Sequence, residues 1–414
     1  MKVAVIGNGG REHAIAWKIS QNPKIDKIYC IPGNGGTAVE KKCENVYIDN
    51  IDEIVNFAKK NNIELTIVGP EKYLVEGIVD EFKKNNLKII GPDKEASKLE
   101  GSKIYAKNFA KKYGVQTAEY QFFNNIKEAN EYIKNAKYPL VIKADGLAAG
   151  KGVIIAQNIK EAENALYDFM EKDIFVGAGK NIVVEEYLNG YEMSVFVLFD
   201  GYNYKIFQTA KDHKKIYDGE KGPNTGGMGA ISPHPEYKNS LVKKIENKII
   251  IPTISGIVKE GLNYKGIIFI GLMIVNEEPY LLEYNIRFGD PETQAMLLLL
   301  ESDLLEIFEH IIDEKLDEIE IKWKNKVSCC IVAASEGYPL KYEKGKEINI
   351  NTESLVFQAG TKLENRKLLT NGGRVLSVVE VGETYKEARE KAYLSIKNIT
   401  FDGIYYRNDI GKGW

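Results

Sequence analysis

Cysteines, long apolar runs and an excess of basic residues are all missing or scarce in this sequence. The four cysteines, Cys30, Cys43, Cys329 and Cys330, show no CxxC spacing. We therefore expect buried reduced thiols rather than a metal site or a disulfide framework. No apolar run reaches the roughly 18 residues that a membrane span requires. The first residues, MKVAVIGNGGREH, lack the apolar segment and cleavage site of a secretory signal, so we expect a cytoplasmic protein that does not bind membranes.

The charge composition argues against nucleic acid as a partner. The chain has 56 basic and 59 acidic residues, a formal net charge of -3, and no basic cluster of the kind that binds phosphate backbones. Its hydrophobic content of 44% and charged content of 28% are ordinary for a globular protein. Because 414 residues exceed what one core usually holds, we expect two to four domains.

The first hundred residues alternate short apolar strands with helices. The strands KVAVIG, KIYCIPG, LTIVGP and LKIIGP each end at Gly or Pro. This alternation predicts a parallel sheet with right-handed crossovers. Ligands of such sheets bind beyond the carboxyl ends of the strands, where this chain places GNGG, PGNGG and GPE.

The later segments predict a second and a third unit. From about 117 to 201, strands and helices surround a glycine-rich loop, and a long irregular stretch from 211 to 235 is predicted to be an ordered site loop. A helical segment is predicted from 293 to about 316. A last α/β unit begins near 327, with strands near 327–334, 355–359 and 373–381 and a helix near 385–398. Since this unit offers no catalytic cluster of its own, we expect it to pack or to act as a lid.

The segment LLEYNIRFGDPETQ is the most informative one. Glu283, Asn285 and Arg287 stand at alternate positions of a predicted strand, so they project from one face about 7 Å apart. A carboxylate, an amide oxygen and a guanidinium in this order suit a divalent cation with anionic oxygens beside it. An edge strand with a solvated polar face is the alternative.

The turn GNGGRE, from 7 to 12, lies where the first strand meets the first helix. Backbone amides of a glycine turn and a helix amino terminus attract anions. A dinucleotide fold would need Gly where Glu12 stands, and the second strand ends in CIPGN without an acid for the ribose. The pattern therefore favours a phosphate site over NAD binding, although a turn used only for packing remains possible.

Two further segments suggest nucleotide binding. In YPLVIKADGLAAGKGVIIA, Lys143 and Lys151 border a small-residue loop that continues as a strand, so it predicts a glycine flap over polyphosphate rather than a Walker A loop. In IVVEEYLNGYE, the exposed backbone at 185–188 suits an adenine ring, and Glu192 suits the ribose hydroxyls. An ordinary acidic hairpin is the alternative for the second segment.

Taken together, these motifs resemble the ATP-grasp enzymes. They also match the glycinamide ribonucleotide synthetase family, in its order and spacing, along the whole chain: GNGGREHA, GPE, EGSK, IKADGLAAGKGV, DHK, GPNTGGMGA, EYNIRFGDPETQ and TNGGRV. The motifs GPNTGGMGA and RFGDPETQ are long enough to separate this family from other ATP-grasp ligases.

The resemblance implies a fold and an activity. The fold is α/β and α+β multidomain, with a Rossmann-like parallel N-terminal domain at 1–101, a two-lobed ATP-grasp domain at 102–325 and a small α/β C-terminal domain at 326–414. A mobile flap lobe covers about 117–190. The activity is ATP-dependent ligation of glycine to 5-phosphoribosylamine through glycyl phosphate, with Mg²⁺ or Mn²⁺. We expect a monomer or a weak homodimer.

The resemblance also implies roles for single residues. The nucleotide would be held by Lys103, Lys143, Gly150, Lys151, Gly152, Glu185, Glu186, Tyr187, Leu188, Glu192, Lys215 and Asn224. The substrates would be bound by Asn8, Gly9, Gly10, Lys214, Arg287, Gly289 and Asp290. The metal ligands would be Glu283 and Asn285, and Lys143 and Arg287 would stabilise the transferring phosphoryl group. His213 beside Asp212 is a candidate base, or a loop histidine that is satisfied by local hydrogen bonds.

Two rival functions remain open at this stage. A nicotinamide-dependent oxidoreductase would have to explain Glu12 and the metal strand. A catalytically idle module would bind ATP without turning it over. Met273 stands where many ATP-grasp enzymes have a further metal ligand, so only two protein ligands are predicted.

Overall fold

The computed structural model describes residues 1–147, 152–175 and 177–414. It begins with the predicted parallel sheet, whose strands lie side by side in the order β3-β2-β1-β4-β5. These strands are β1 Lys2–Gly7, β2 Lys27–Pro32, β3 Cys43–Asn45, β4 Leu65–Val68 and β5 Ile89–Pro92. The helices between them are α1 Gly10–Ser20, α2 Ile51–Asn61, α3 Glu71–Glu76 and α4 Ile78–Lys84.

Helix α2 shows how local signals set the ends of these elements. The Asn50 side chain accepts a hydrogen bond from the Glu53 N–H and caps the first turn, where Asp52 adds negative charge. Lysines stand in the last turn, and Asn62 adopts the left-handed conformation that ends the helix. The apolar face of the helix, with Ile54 and Ala58, packs against the sheet.

The central segment extends the parallel sheet with antiparallel strands. Its strands are β10 Tyr191–Phe199, β11 Tyr204–Asp212, β14 Gly229–Ser232, β15 Tyr264–Val275 and β16 Glu278–Asn285, and a separate hairpin consists of β12 Lys215–Tyr217 and β13 Lys221–Asn224. Its helices are α5 Lys98–Gly101, α6 Lys103–Tyr113, α9 Asn239–Ile245, α10 Ile251–Lys259, α11 Glu292–Leu297 and α12 Leu304–Ile312, with a π-helical segment at Glu246–Ile250. Strand β15 pairs with β5 of the parallel sheet and also with β10 and β16. Because β5 and β16 both pair with β15, β16 with its predicted metal ligands is attached to the N-terminal sheet.

A small lobe stands apart with its own sheet and its own core. Its strands are β6 Tyr120–Phe123, β7 Leu140–Ala144, β8 Val153–Ala156 and β9 Ile182–Glu186, in the order β6-β9-β7-β8, and its helices are α7 Ile126–Lys134 and α8 Ile159–Leu166, followed by a π-helical segment at Tyr167–Glu171. Its core is formed by residues such as Ile133, Ile142, Phe169 and Val184. The lobe contains the predicted glycine flap between β7 and β8.

The last segment continues the main sheet. It contains β17 Val327–Ser335, β18 Asn349–Ile350, β19 Leu355–Gln358, β20 Thr361–Glu364, β21 Lys367–Thr370, β22 Arg374–Gly382, α13 Tyr385–Ile396, β23 Ile399–Thr400 and β24 Ile404–Tyr405. Because β17 pairs with β14, fourteen strands of the described ranges belong to one sheet. None of the helices in these ranges combines the length and apolar character that a bilayer span needs.

The predicted multidomain α/β and α+β class is confirmed, and two details differ. The stretch from 211 to 235 is not irregular, since it contains the hairpin β12–β13 and the strand β14. The glycines of this stretch are typical of a loop, so the sequence does not predict these short strands. The single helical segment predicted from 293 to 316 is two helices, α11 and α12, because Asp303 caps a new helix by accepting from the Leu305 and Glu306 N–H groups.

The buried face of α12 gives a test of where the core lies. Phe308 is fully buried among Phe288, Ile307 and Ile311. Phe308→Ala should lower the free energy of unfolding by about 3–5 kcal/mol, because it leaves a cavity. Leu394→Ala, on the exposed face of α13, should change it by less than about 0.5 kcal/mol. Urea denaturation followed by circular dichroism measures both, and equal losses would contradict this assignment of the core.

Candidate active site

Strand β16 places the predicted metal ligands beside the neighbouring strand β15. Glu283 lies opposite Gly271, and Asn285 lies opposite Phe269. A Cβ atom at position 271 would come within 3.2 Å of the Glu283 Cγ atom, so the glycine leaves room for the carboxylate. The Asn285 amide is buried, and its Oδ1 accepts a hydrogen bond of 2.9 Å from Arg287.

Several cations surround the Glu283 carboxylate. The Lys214 Nζ atom lies 3.8 Å from its Oε1 and 2.8 Å from Glu192 Oε2. Burial raises the pKa of Glu283, but the charges of Lys214, Lys143 and Lys103 outweigh burial and hold this pKa below its usual value. Glu283 is therefore ionised at neutral pH, which a metal ligand requires.

The donor atoms fit a hard divalent cation. Among the described residues, no group of three or more His, Cys, Asp or Glu could hold a metal. Mg²⁺, however, is commonly bound by one or two protein oxygens while water and phosphate oxygens fill the other positions. One carboxylate and one amide oxygen on β16 match that pattern. They do not match the closed nitrogen and sulfur sites of zinc.

Arg287 lies among acidic side chains. Its Nη2 is 2.7 Å from Glu100 Oε1 and its Nε is 3.3 Å from Glu71 Oε2. Glu100 also accepts a 2.8 Å hydrogen bond from the Ile286 N–H. Burial raises the pKa of Glu100 to about 7 although Arg287 opposes the shift. The guanidinium is thus held firmly, and these two acids, rather than an open anion pocket, are its main partners.

The flap lobe places Lys143 and Glu185 next to a further lysine, Lys107, of helix α6. Lys143 Nζ lies 2.9 Å from Glu185 Oε2 and 3.3 Å from the Leu282 carbonyl oxygen. Lys107, which sequence reasoning did not select, lies 3.1 Å from the same carboxylate oxygen. Lys103 stands at the start of α6, and burial lowers its pKa.

The predicted adenine segment follows directly on β9. Glu185 is buried, whereas Glu186 and Tyr187 are exposed and Leu188 is half-buried. Glu186 Oε1 accepts a hydrogen bond from the Glu119 N–H. Of the flap residues, Gly152 is buried, and the predictions for Gly150 and Lys151 lie outside the described residues.

Two acids, Asp212 and Glu292, lie close together behind Lys214. Burial and the neighbouring Glu292 raise the pKa of Asp212 well above its usual value. Its Oδ1 is inaccessible and has no hydrogen-bond partner among the described residues. A Cβ atom at Gly227, whose φ is +113°, would come within 2.6 Å of this oxygen. A glycine is therefore needed at position 227 to keep the carboxylate in place.

The geometry of His213 favours the second of its two interpretations. Its Nδ1 lies 3.3 Å from the Gly229 carbonyl oxygen, and its Nε2 accepts a 3.3 Å hydrogen bond from the Gly411 N–H. Burial, with the charges of Arg407 and Lys211, lowers its pKa to about 3. The ring is neutral and both nitrogens are engaged, as expected for a structural histidine.

Lys215 and Asn224 face each other across the hairpin β12–β13. The hairpin is tied to the end of the chain, because Arg407 donates to the Lys215 carbonyl oxygen and pairs with Glu220 at 2.7 Å. No side-chain contact joins Lys215 or Asn224 to the other predicted nucleotide residues in the described part of the chain. Their nucleotide role therefore remains a prediction.

The amides of the GNGG turn are already engaged by carboxylates of the chain. The Gly9 N–H donates to Glu12 Oε2 at 2.6 Å, and the Arg11 N–H donates to Asp290 Oδ2 at 3.2 Å. Asn8 is exposed, and Gly10 begins α1. Part of the predicted phosphate pocket is thus filled by internal anions, which satisfy the helix amino terminus in the way a phosphate would.

Asp290 links the turn to the C-terminal segment. Arg374 Nη1 donates to the carbonyl oxygens of Gly226 and Asp290, both at 2.6 Å, and lies 3.5 Å from Asp290 Oδ1. Gly289 accepts a hydrogen bond from the Thr293 hydroxyl at the start of α11. The N-terminal turn and Asp290 therefore meet where the three segments of the chain join. Of the other predicted substrate residues, Lys214 lies beside Glu283, and Arg287 lies beside Glu71 and Glu100.

Sequence reasoning missed four residues that organise the site. These are Asn34, Glu100, Lys107 and Arg374. Asn34 donates to the carbonyl oxygens of Asn8 and Gln358, at 3.0 and 2.6 Å. Each of the four contacts residues that are far away in the sequence. The motifs PGNGG, EGSK and TNGGRV contain Asn34, Glu100 and Arg374, whereas no motif contains Lys107.

Models of one protein family match successive parts of the chain. Three models of phosphoribosylglycinamide synthetase match in order: the N domain at residues 1–100, the ATP-grasp (A) domain at 101–293 and the C domain at 328–413. A phosphoribosylamine-glycine ligase of Clostridium acetobutylicum is 54% identical over 414 residues, which is 100% of each chain.

Solved structures show the same similarity. The crystal structure of phosphoribosylamine-glycine ligase from Thermotoga maritima is 37% identical with a TM-score of 0.86, covering 99% of this chain and 100% of that one. A biotin carboxylase domain of Hydrogenobacter thermophilus, in complex with MgADP and bicarbonate, shares the fold at 15% identity and a TM-score of 0.75, covering 98% of this chain and 91% of that one. With all three family models matched along its length, this chain belongs to the phosphoribosylglycinamide synthetase family.

Proposed function

We propose that the site around Glu283 performs the reaction of this family in two steps. The chain is an ATP-dependent ligase that joins glycine to 5-phosphoribosylamine in purine biosynthesis. In the first step a glycine carboxylate oxygen attacks the γ-phosphorus of ATP, which gives glycyl phosphate and ADP. In the second step the amine of phosphoribosylamine attacks the acyl carbon, phosphate leaves, and the amine loses a proton to give glycinamide ribonucleotide. The proposal rests mainly on the lysines Lys214, Lys143 and Lys103, whose charges act on the Glu283 carboxylate.

The chain would contribute mainly position and charge. Lys103 and Lys143 would neutralise ATP phosphates, which is the main requirement of phosphoryl transfer. Backbone at 185–188 would hold adenine, and Glu192 would hold the ribose. Lys214 would lie between the ribose and the glycine carboxylate, because its ammonium group already bridges Glu192 and Glu283.

Glu283 and Asn285 would hold Mg²⁺ or Mn²⁺, which when bound supplies charge neutralisation to the phosphates. Arg287 would fix the orientation of Asn285 through their 2.9 Å hydrogen bond. Arg287 would keep both this amide and the adjacent acids in place while substrate enters. Because its nearest partners are Glu71, Glu100 and Asn285, Arg287 would position these side chains rather than contact the transferred phosphoryl group.

The amine substrate would bind where the three segments meet. Asn8, Gly9, Gly10, Gly289 and Asp290 would border its 5-phosphate, with exposed Asn8 nearest to solvent. Since Glu12 and Asp290 already engage two amides of the turn, the phosphate would bind beside these carboxylates rather than replace them.

We further propose the domain limits 1–101, 102–325 and 326–414, with residues 117–190 as the moving flap lobe. The separate sheet and core of that lobe support this division. Glycine and 5-phosphoribosylamine would be its small-molecule substrates. We also propose that the protein is cytoplasmic and is a monomer or a weak homodimer.

An ADP-release assay with each substrate omitted in turn tests the function. The complete mixture of ATP, Mg²⁺, glycine and phosphoribosylamine should release ADP continuously, and omission of any component should stop the release. An idle nucleotide-binding module would bind ATP without releasing ADP in any mixture. Nicotinamide-dependent turnover instead would support an oxidoreductase.

Glu283→Ala should reduce turnover by about 100-fold or more, because it removes a charge that organises the metal and phosphates. The matched control is Glu278→Ala on the same strand, which removes only surface ion pairs to Lys244 and Lys248. Steady-state ADP release measures activity, and circular dichroism checks the fold of both variants. Near-normal activity of Glu283→Ala would remove the proposed metal site.

His213 gives a pH-dependent prediction. The unfolded chain binds a proton at this residue below about pH 6.5, whereas the folded protein does so only near pH 3. Its contribution to stability is therefore complete above pH 6.5 and falls by about 1.4 kcal/mol per pH unit as the pH drops towards 3. Urea denaturation between pH 7 and pH 5 should show a shallower decline for His213→Gln than for the wild type.

The same variant separates the two interpretations of His213. A glutamine can donate to the Gly229 carbonyl oxygen and accept from the Gly411 N–H, so His213→Gln should lose less than about tenfold in kcat. A general base contributes about 100-fold or more. A loss of that size, in a folded variant, would restore His213 as the base.

A further inference from the structure

Lys107 is a buried lysine that the reaction as described does not use. It stands on α6, one helical turn after Lys103, and its side chain is 4% exposed. Its Nζ atom lies 2.6 Å from Thr117 Oγ1 and 3.1 Å from Glu185 Oε2. An ammonium group is rarely buried unless it is paired, because desolvation of its charge is costly.

Glu185 is shared by two lysines and cannot neutralise both. The same oxygen, Oε2, lies 2.9 Å from Lys143 Nζ. The other oxygen, Oε1, is inaccessible and has no hydrogen-bond partner among the described residues. Two ammonium groups and one carboxylate leave the cluster with one positive charge in excess. The arrival of an anion beside Lys143 would balance that charge.

The cluster is also attached to the strand of the metal ligands. Thr117 accepts from Lys107 and donates to the Leu281 carbonyl oxygen at 2.8 Å. Lys143 reaches the next carbonyl, that of Leu282, at 3.3 Å. Both lysines therefore connect to adjacent residues of β16, just before Glu283. Lys107 belongs to the main body of the protein, while Lys143 and Glu185 belong to the flap lobe.

We propose that Lys107 is a positioning residue for Lys143: it shares the charge of Glu185, so that Lys143 stays in place beside β16 with its positive charge available to ATP phosphate. Without Lys107, Glu185 and Lys143 would form a neutral buried pair. Phosphate binding would then have to compete with that pair. The inference rests on the proposed contact between Lys143 and ATP.

The charged surroundings of Lys107 make it sensitive to pH. Burial lowers its pKa to about 8, with Glu185 and Glu186 opposing the shift and Lys143 adding to it. The Tyr120 ring also faces its ammonium group, 5.7 Å away. Lys107 therefore loses its proton as the pH rises through about 8.

Kinetics of three single variants test the proposal. Lys107→Met should raise the KM for ATP roughly tenfold or more, as removal of one partner from a buried charge cluster does. The KM for glycine should stay nearly unchanged. Lys107→Arg keeps the charge and should restore a KM for ATP close to that of the wild type. The control Lys111→Met, on the exposed face of α6, should behave as the wild type.

A double-mutant cycle shows whether Lys107 acts through Glu185. Lys107→Met should have a much smaller effect on the KM for ATP in a Glu185→Gln background than alone, because the charge that it balances is gone. An effect of equal size in both backgrounds would overturn the proposal. An unchanged KM for ATP in folded Lys107→Met would do the same.

The pH profile provides a second measurement that does not depend on the methionine variant folding. In the wild type, the KM for ATP should rise as the pH increases from 7 to 9, and in Lys107→Arg this rise should be absent. Identical profiles for the two proteins would overturn the inference. A wild-type protein that releases no ADP with its full set of substrates would instead refute the proposed function itself.

Discussion

The hydrogen bonding of strand β15 is the constraint on which the rest of the structure depends. This strand pairs with β5 of the parallel sheet at one end and with β10 and β16 along its length. Its residues Ile268, Ile270 and Leu272 are buried in the core. A shift of β16 by one residue would turn Glu283 and Asn285 to the opposite face. The register of one strand pair thus fixes the proposed metal ligands relative to the N-terminal turn.

The charged side chains around this strand form three groups of mixed sign. Arg287 lies between Glu71 and Glu100, Lys214 between Glu192 and Glu283, and Glu185 between two lysines. In each group a charge of one sign is shared by two of the other sign. Such an arrangement leaves the groups only partly neutralised, and a charged ligand can complete the balance. In the proposed function, these incompletely neutralised groups would favour the binding of charged substrates.

Much of the fold followed from patterns that act over short distances. Four of the five parallel strands could be predicted because apolar runs alternate with capped helices, and Asn50 and Asn62 show those caps directly. The fifth, β3, has only three residues and escaped prediction. The alternation of Glu283 and Asn285 on a strand could be predicted for the same reason. The hairpin β12–β13 escaped prediction, since Gly219, Gly222 and Pro223 resemble a loop and its contact with Arg407 joins residues far apart in the sequence.

Other features of the site were out of reach because they depend on distant residues. Lys107 looks like any other lysine of α6 until Glu185 and Thr117 are brought beside it. The GNGG turn predicted an anion pocket in general terms, but only the fold shows that Glu12 and Asp290 engage its amides. Local chemistry could therefore indicate the type of ligand, while the identity of the internal partners required the tertiary structure.

The contacts of Arg374 and Asn34 have a consequence for the order in which the protein assembles. Arg374 joins β22 to the Gly226 and Asp290 backbone, and Asn34 joins the N-terminal segment to the Gln358 backbone. These contacts span some of the longest separations in the chain, and contacts of that kind form late in folding. During synthesis on the ribosome, the earlier segments can form their own strands and helices. The junction around Asn34 and Asp290, by contrast, is completed only after Gln358 and Arg374 have emerged and docked.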